Sequence, residues 1–134
     1  MHIRKRFIAA ACLAVATAAW LLPAPPCPAQ GPPEFLPLSG RWVRTDGGYV
    51  IEIRSVDPGG RMQAAYYNPN PINVARAEAA RSGAAVTVFI ELRAPGYPGS
   101  TYTLIYDPKS DQLKGVYHQA SLKQNFDVIF VRGR

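Results

Sequence analysis

Hydrophobic and polar positions alternate with a period of two along most of the chain beyond residue 40. Within 100–132, Tyr102, Leu104 and Tyr106 alternate with Thr101, Thr103 and Ile105. Leu113, Gly115 and Tyr117 alternate with Lys114, Val116 and His118, and Phe126, Val128 and Phe130 with Asp127, Ile129 and Val131. A period of two places one set of side chains on each face of a strand. The intervening DPKSD and ASLKQN supply turn residues, so the segment reads as three consecutive antiparallel strands.

The same rhythm runs through the residues before it. Strands are predicted over 41–45, 49–54 and 62–67, with Asp46-Gly47-Gly48 as a tight hairpin and Asp57-Pro58-Gly59-Gly60 as a turn. Asn68-Pro69-Asn70-Pro71 breaks the pattern, because each proline restricts its predecessor and removes a donor. Residues 72–80 read two ways. A helix would have Asn70 as N-cap, Pro71 at its first position and Gly83 as its stop, over alanine-rich filling. It would be about two turns long, with no apolar stripe to dock it. A strand would put Ile72, Val74, Arg76 and Glu78 on one face and Asn73, Ala75, Ala77 and Ala79 on the other, and it fits the neighbouring strands better. After Arg81-Ser82-Gly83 comes AVTVFIEL over 85–92, rich in strand formers, and then RAPGYPG over 93–99 as a longer loop.

The pattern is therefore all-β: an eight-stranded antiparallel up-and-down barrel, whose closure removes both exposed edges. Up-and-down connectivity sorts the loops. DPGG, RSG and DPKSD gather at one end as compact polar turns. The loops at 68–71, 93–99 and 120–125 gather at the other, with Asn68, Asn70, Tyr97, Gln124 and Asn125. Tyr67, Tyr102, His118 and Gln119 stand just below them. Tyr49, Ile51, Ile53, Phe126, Val128 and Phe130 are large candidates for the interior, whereas Ala75, Ala77, Ala79 and Gly115 leave some room. A barrel of this size holds side chains or one small ligand, so a shallow site at the rim is expected in place of a deep cavity. Its candidate ligand-binding residues are Tyr67, Asn68, Asn70, Tyr97, Tyr102, His118, Gln119 and Gln124.

Gly40-Arg41-Trp42 on the first strand, with Arg132 at the end of the last, resembles the calycin superfamily, which includes lipocalins and avidins. The resemblance implies an eight-stranded barrel in which Trp42 and Arg132 pack together at the closed end, a cation–π contact. The chain is shorter than a typical lipocalin and has no C-terminal helix. It also lacks the further tryptophans that avidins place around biotin, so the resemblance implies the fold and not the ligand.

The N-terminal residues change the reading of charge and compartment. Arg4, Lys5 and Arg6 precede an uncharged, alanine-rich run over 7–22 that Pro23 ends. Cys27-Pro28-Ala29 offers small residues at −3 and −1, which predicts a signal peptide over 1–29, cleavage between Ala29 and Gln30, and a secreted or periplasmic protein. An uncleaved anchor and a lipidated Cys27 are the weaker alternatives. The run is short beside the ~20 residues of a membrane span, so no span is expected after cleavage. Residues 30–39 form a Pro-rich lead-in, expected to be extended and poorly ordered, and 40–134 form the single barrel domain. Three of the fifteen basic residues lie in the leader, leaving twelve against nine acidic ones, an ordinary balance with no pull toward nucleic acid. Cys12 and Cys27 also lie there, so the mature domain holds no disulfide and depends on its core.

Candidate chemistry is sparse beyond residue 29. His118 is the one histidine, with no nucleophile-elbow motif beside it, so a hydrolase built on His118 is a remote reading and the chain is not expected to be an enzyme. No metal or other cofactor is expected, since neither a metal-ligand set nor a phosphate-binding glycine loop is present. Asp107 and Asp111 suit turn chemistry, and Glu78 and Glu91 suit cross-strand pairs with Arg76 and Arg93. Seven tyrosines are many for so small a domain. Beside amides at a rim they suit a small polar or amphipathic ligand, and an envelope protein bound through the same loops is the alternative.

Overall fold

The computed structural model describes residues 22–26 and 31–134. Most of the expected leader, its junction at Ala29 and Gln30, and both cysteines lie outside the described residues. Among the described residues no helix is long and apolar enough to cross a membrane.

The chain forms an all-antiparallel, nearly closed β-barrel. Its nine strands are β1 (Gly40–Arg44), β2 (Val50–Val56), β3 (Met62–Tyr67), β4 (Pro71–Ile72), β5 (Val74–Ser82), β6 (Ala85–Ala94), β7 (Tyr97–Asp107), β8 (Gln112–Gln119) and β9 (Gln124–Arg132). The order around the sheet is β4-β3-β2-β1-β9-β8-β7-β6-β5. The first and last long strands meet, with Trp42 opposite Arg132 and Val43 opposite Val131.

The ninth strand corrects the expected count of eight. Residues 72–80 are extended, but they serve two neighbours. Pro71 and Ile72 finish a hairpin with Tyr67 and Tyr66, and from Val74 the chain pairs with β6. Asn73 makes the transfer: its carbonyl accepts from Arg93 N at 3.0 Å, and its Nδ2 donates to Arg93 O at 3.1 Å. A register shift between Val74 and Arg76 leaves Ala75 exposed, so only Ala77 and Ala79 of the three expected alanines are buried.

The same transfer leaves a seam. β3 and β5 are joined by an Arg61–Glu78 bridge and by Ala79 N donating to Gly60 O at 2.6 Å. Gly60 has φ +87°, and a Cβ there would lie 2.1 Å from Ala79 O. Only glycine permits both the turn and this approach.

The interior is filled. Trp42, Ile51, Ile53, Tyr66, Val88, Ile90, Leu92, Tyr102, Leu104, Leu113 and Phe130 are almost wholly buried. Phe126 shares the inward phase of Val128 and Phe130 but stands at the rim, 40% exposed. The expected 93–99 loop is also corrected: β6 and β7 continue through most of it and leave only Pro95 and Gly96 between them.

The lead-in differs most from expectation. Pro33–Leu38 is a 3-10 helix that buries Phe35 and Leu38. Side chains three apart eclipse in a 3-10 helix, so these two apolar residues point the same way and plug the end of the barrel near Trp42. Trp42 Nε1 donates to Leu38 O at 2.8 Å. Gly31 N donates to Val56 O at 3.0 Å, tying the segment to β2.

Candidate ligand site at the barrel mouth

β1 points Trp42 inward, and a period of two sends Arg44 the same way. At that position Arg44 N donates to Tyr49 O at 2.9 Å, extending the β1–β2 pairing to the other end of the barrel. The Arg44 guanidinium lies 4.5 Å from the centre of the Tyr49 ring and 5.7 Å from that of Tyr117. Its Nη1 donates to the Tyr102 hydroxyl at 3.2 Å, and its Nε and Nη2 grip Asp46 at 2.5 and 2.8 Å. The Arg44 side chain is 10% exposed and that of Asp46 is 53% exposed. Burial opposes the Arg44 charge, but the hydrogen bonds to Asp46 and Tyr102 outweigh it and raise the pKa above the ordinary value. The hydrogen bond from Arg44 in turn lowers the Asp46 carboxyl.

Tyr102 forms the floor. It pairs with Tyr117 across β7 and β8, and Tyr117 with Phe126 across β8 and β9, so the three rings share the inward face. Tyr102 and Tyr117 stack at 4.6 Å and 28°, and Tyr117 and Phe126 at 6.4 Å and 27°. The hydroxyls of Tyr66 and Tyr102 lie 2.9 Å apart. Burial pushes the Tyr102 phenol up to about 12 and that of Tyr66 higher still, and it raises Tyr117 as well. All three are therefore neutral at ordinary pH. Across from this wall, Asn68 Nδ2 donates to the Tyr97 hydroxyl. Arg44, Tyr49, Tyr117 and Phe126, together with Asn68, Tyr97, Gly96 and Gln119, surround an open cavity of about 420 Å³.

Of the residues expected from the sequence, Asn68, Tyr97 and Gln119 line this cavity and Tyr102 lies beneath it. Strand phase separates the others. Tyr66 and Tyr117 point in, so Tyr67 and His118 point out, where His118 Nδ1 and Asn125 Oδ1 are 2.7 Å apart. Asn70 and Gln124 are exposed at the rim without lining the cavity. Sequence reasoning missed Arg44, Tyr117 and Phe126 as site residues. The signal was present: Arg44 shares the parity of Trp42, and Tyr117 that of Leu113 and Gly115.

A second cavity of about 370 Å³ lies outside the barrel, between the 3-10 helix and β2, with Phe35, Leu36, Arg54, Val56 and Gln63 along it. The mouth is the stronger candidate, because there a largely buried cation, amides and phenol hydroxyls converge on one concavity. Comparison with protein-family models, with curated proteins and with solved structures finds no match for this chain.

Proposed function

We propose that this chain is an exported, calycin-like barrel that binds a small polar or amphipathic ligand at its mouth, and that it acts by binding and not by catalysis. One observation carries the reading: Arg44 is largely buried beside an open cavity of about 420 Å³. Burying a charge is costly unless it is paired, and a stable barrel alone needs no cation inside its mouth. Few polar groups converging in an aromatic concavity are the usual form of a small-molecule site. The Arg132–Trp42 packing at the other end supports the calycin-like reading. The basic, apolar and small-residue pattern over 1–29 supports export.

The test is a fragment screen on the 15N-labelled protein. Binding fragments should move the amides of Tyr49, Gly96, Tyr97 and Gln119 and raise the melting temperature by mass action. Tyr97→Ala and Tyr117→Ala should weaken binding. Tyr67→Ala, on the outer face, should not. A footprint on the turns at 57–60 and 108–111 would discard the reading.

A protein partner at the same rim is the second reading, favoured by two exposed apolar side chains of the β8–β9 hairpin, Leu122 at 59% and Phe126 at 40%. Such a partner would shift the 120–123 turn and leave the floor residues still. The hydrolase reading gains no support from His118, whose ring lies on the outer face against Asn125.

A further inference from the structure

We infer that the mouth selects a small carboxylate with a flat apolar body, which takes the Arg44 guanidinium over from Asp46. This rests on reading the mouth as a ligand site and adds the class of ligand. Arg44 is the one charged residue among those lining the cavity. Asp46 pairs that charge from the neighbouring turn; an anion entering the cavity can take the guanidinium over, whereas a cation would meet it directly.

The donor count points the same way. A guanidinium carries five N–H groups. The described residues supply acceptors for three, two on Asp46 and one on Tyr102. One N–H on each terminal nitrogen is left, so the guanidinium has donors to spare for an anion that also takes over those now held by Asp46. Asp46 is the competitor. It sits in the β1–β2 turn with half its surface in water, so a released carboxylate regains its hydration there. Its carboxylate can rotate into solvent while an incoming one takes its place.

The walls define the rest of the ligand. Tyr49 presents a ring to the guanidinium at 4.5 Å, and the Tyr117–Phe126 stack lines the same cavity. A flat apolar body fits between such faces. Gln119 and the Asn68–Tyr97 pair stand where a polar substituent on that body would emerge.

The experiment titrates the full-length exported protein with matched acids and amides: benzoate with benzamide, 4-hydroxybenzoate with its amide, indole-3-acetate with its amide. Calorimetry gives the affinities, and amide resonances give the location. The acids should bind at the mouth at least about tenfold more tightly than their amides, as expected for hydrogen bonds to a charged donor. Asp46→Asn should tighten the acids severalfold and leave the amides unchanged. Arg44→Gln should erase the difference between acid and amide. If Arg44→Gln does not fold, Asp46→Asn decides alone, since Asp46 is exposed. Acids and amides binding the mouth equally would overturn the inference and leave the ligand site standing. Sulfate binding as tightly as benzoate would overturn the flat body. If neither acids nor amides move the mouth resonances, the inference and the site both fall.

Discussion

The Arg132 guanidinium lies over the Trp42 indole, 4.2 Å from its centre, and reaches past it to the carbonyls of Ser39 at 2.9 Å and Pro37 at 2.7 Å. Asp111 holds the guanidinium from the turn between β7 and β8, at 2.7 and 2.8 Å. One side chain therefore ties together the first strand, the last strand, a turn and the 3-10 plug. Truncating a buried tryptophan costs about 3–5 kcal/mol, much of a small domain's total of about 5–15 kcal/mol. Trp42→Ala should unfold the protein or lower its urea midpoint sharply. Arg132→Lys keeps the charge but loses the planar fork, and should cost about 1–3 kcal/mol. A double-mutant cycle with Trp42→Phe should show coupling; additive effects would mean that the two residues do not stabilise each other.

The Tyr66–Tyr102 hydroxyl pair makes two further predictions. Tyr66→Phe leaves the Tyr102 hydroxyl still bonded to Arg44, whereas Tyr102→Phe strips the Tyr66 hydroxyl of its partner. The second variant should therefore be the less stable, by about 1 kcal/mol, the difference between losing a hydrogen bond and orphaning a buried group. At high pH the signs follow from burial. Both phenols have folded pKa values raised above the ordinary 10.0, Tyr102 to about 12. The stability tied to their neutrality is fully present below pH 10 and is lost as pH rises toward 12, where the unfolded chain ionises first. Tyrosinate absorbance should appear in two steps, exposed residues first, and the late step should coincide with loss of near-UV dichroism.

At low pH the depressed carboxylates work in the opposite direction. Lys114, Ser110 and the Lys109 amide hydrogen-bond Asp107 and lower it from 3.8 to about 2, and Arg132 lowers Asp111. Stability linked to these groups is present above pH 4 and is lost as pH falls toward 2. Asp107→Asn should flatten the melting temperature over that window more than Asp111→Asn does, because its carboxyl is depressed the further. Asp111→Asn should instead lower the melting temperature at neutral pH the more, because Asp111 anchors the residue that holds the plug; equal losses at pH 7 would show that the plug is independent of the Arg132–Asp111 pair.

What was legible in the sequence follows strand phase. Alternation alone places the inward residues of β7, β8 and β9, and with them Tyr102 and Gln119. The same parity would have put Arg44 inside with Trp42 and put His118 and Tyr67 outside. A charge in an inward phase reads at first as an outer-face residue, because it contradicts the apolar pattern. The 3-10 plug was hidden for a different reason. Three prolines in 32–37 suggest a linker, and Phe35 with Leu38 is too short a pattern to reveal a period of three. The division of 72–80 depends on Asn73 finding the backbone of Arg93, a contact that no local pattern encodes.

Gly115 tests how tightly the interior is closed. A Cβ there would lie 2.0 Å from Thr103 O and 2.9 Å from Leu104 Cα, both backbone atoms that cannot swing aside. Gly115→Ala should separate β8 from β7 and destabilise the barrel by about 1–3 kcal/mol or more, as overpacking does. Denaturant unfolding measures this. A neutral Gly115→Ala would mean that β7 can move away from β8 at no cost.

The seam between β3 and β5 is where the barrel should open first. β6 and β7 are paired along their length, from Val86 opposite Tyr106 to Ala94 opposite Tyr97. β3 and β5 have no paired register and are linked through the backbone by the Arg61–Glu78 bridge and the Gly60–Ala79 hydrogen bond just before β3. Local opening follows the weakest cooperative unit, so native-state hydrogen exchange should be faster over 62–65 and 74–77 than over 88–92 and 102–105. Gly60→Ala attacks one of these two links, since its Cβ would overlap Ala79 O and its φ of +87° is strained for alanine. That variant should speed exchange along β5 before it changes exchange in β7 and β8. Uniform acceleration through the whole sheet would instead make the seam part of one cooperative barrel, and Gly60 a residue of the global fold.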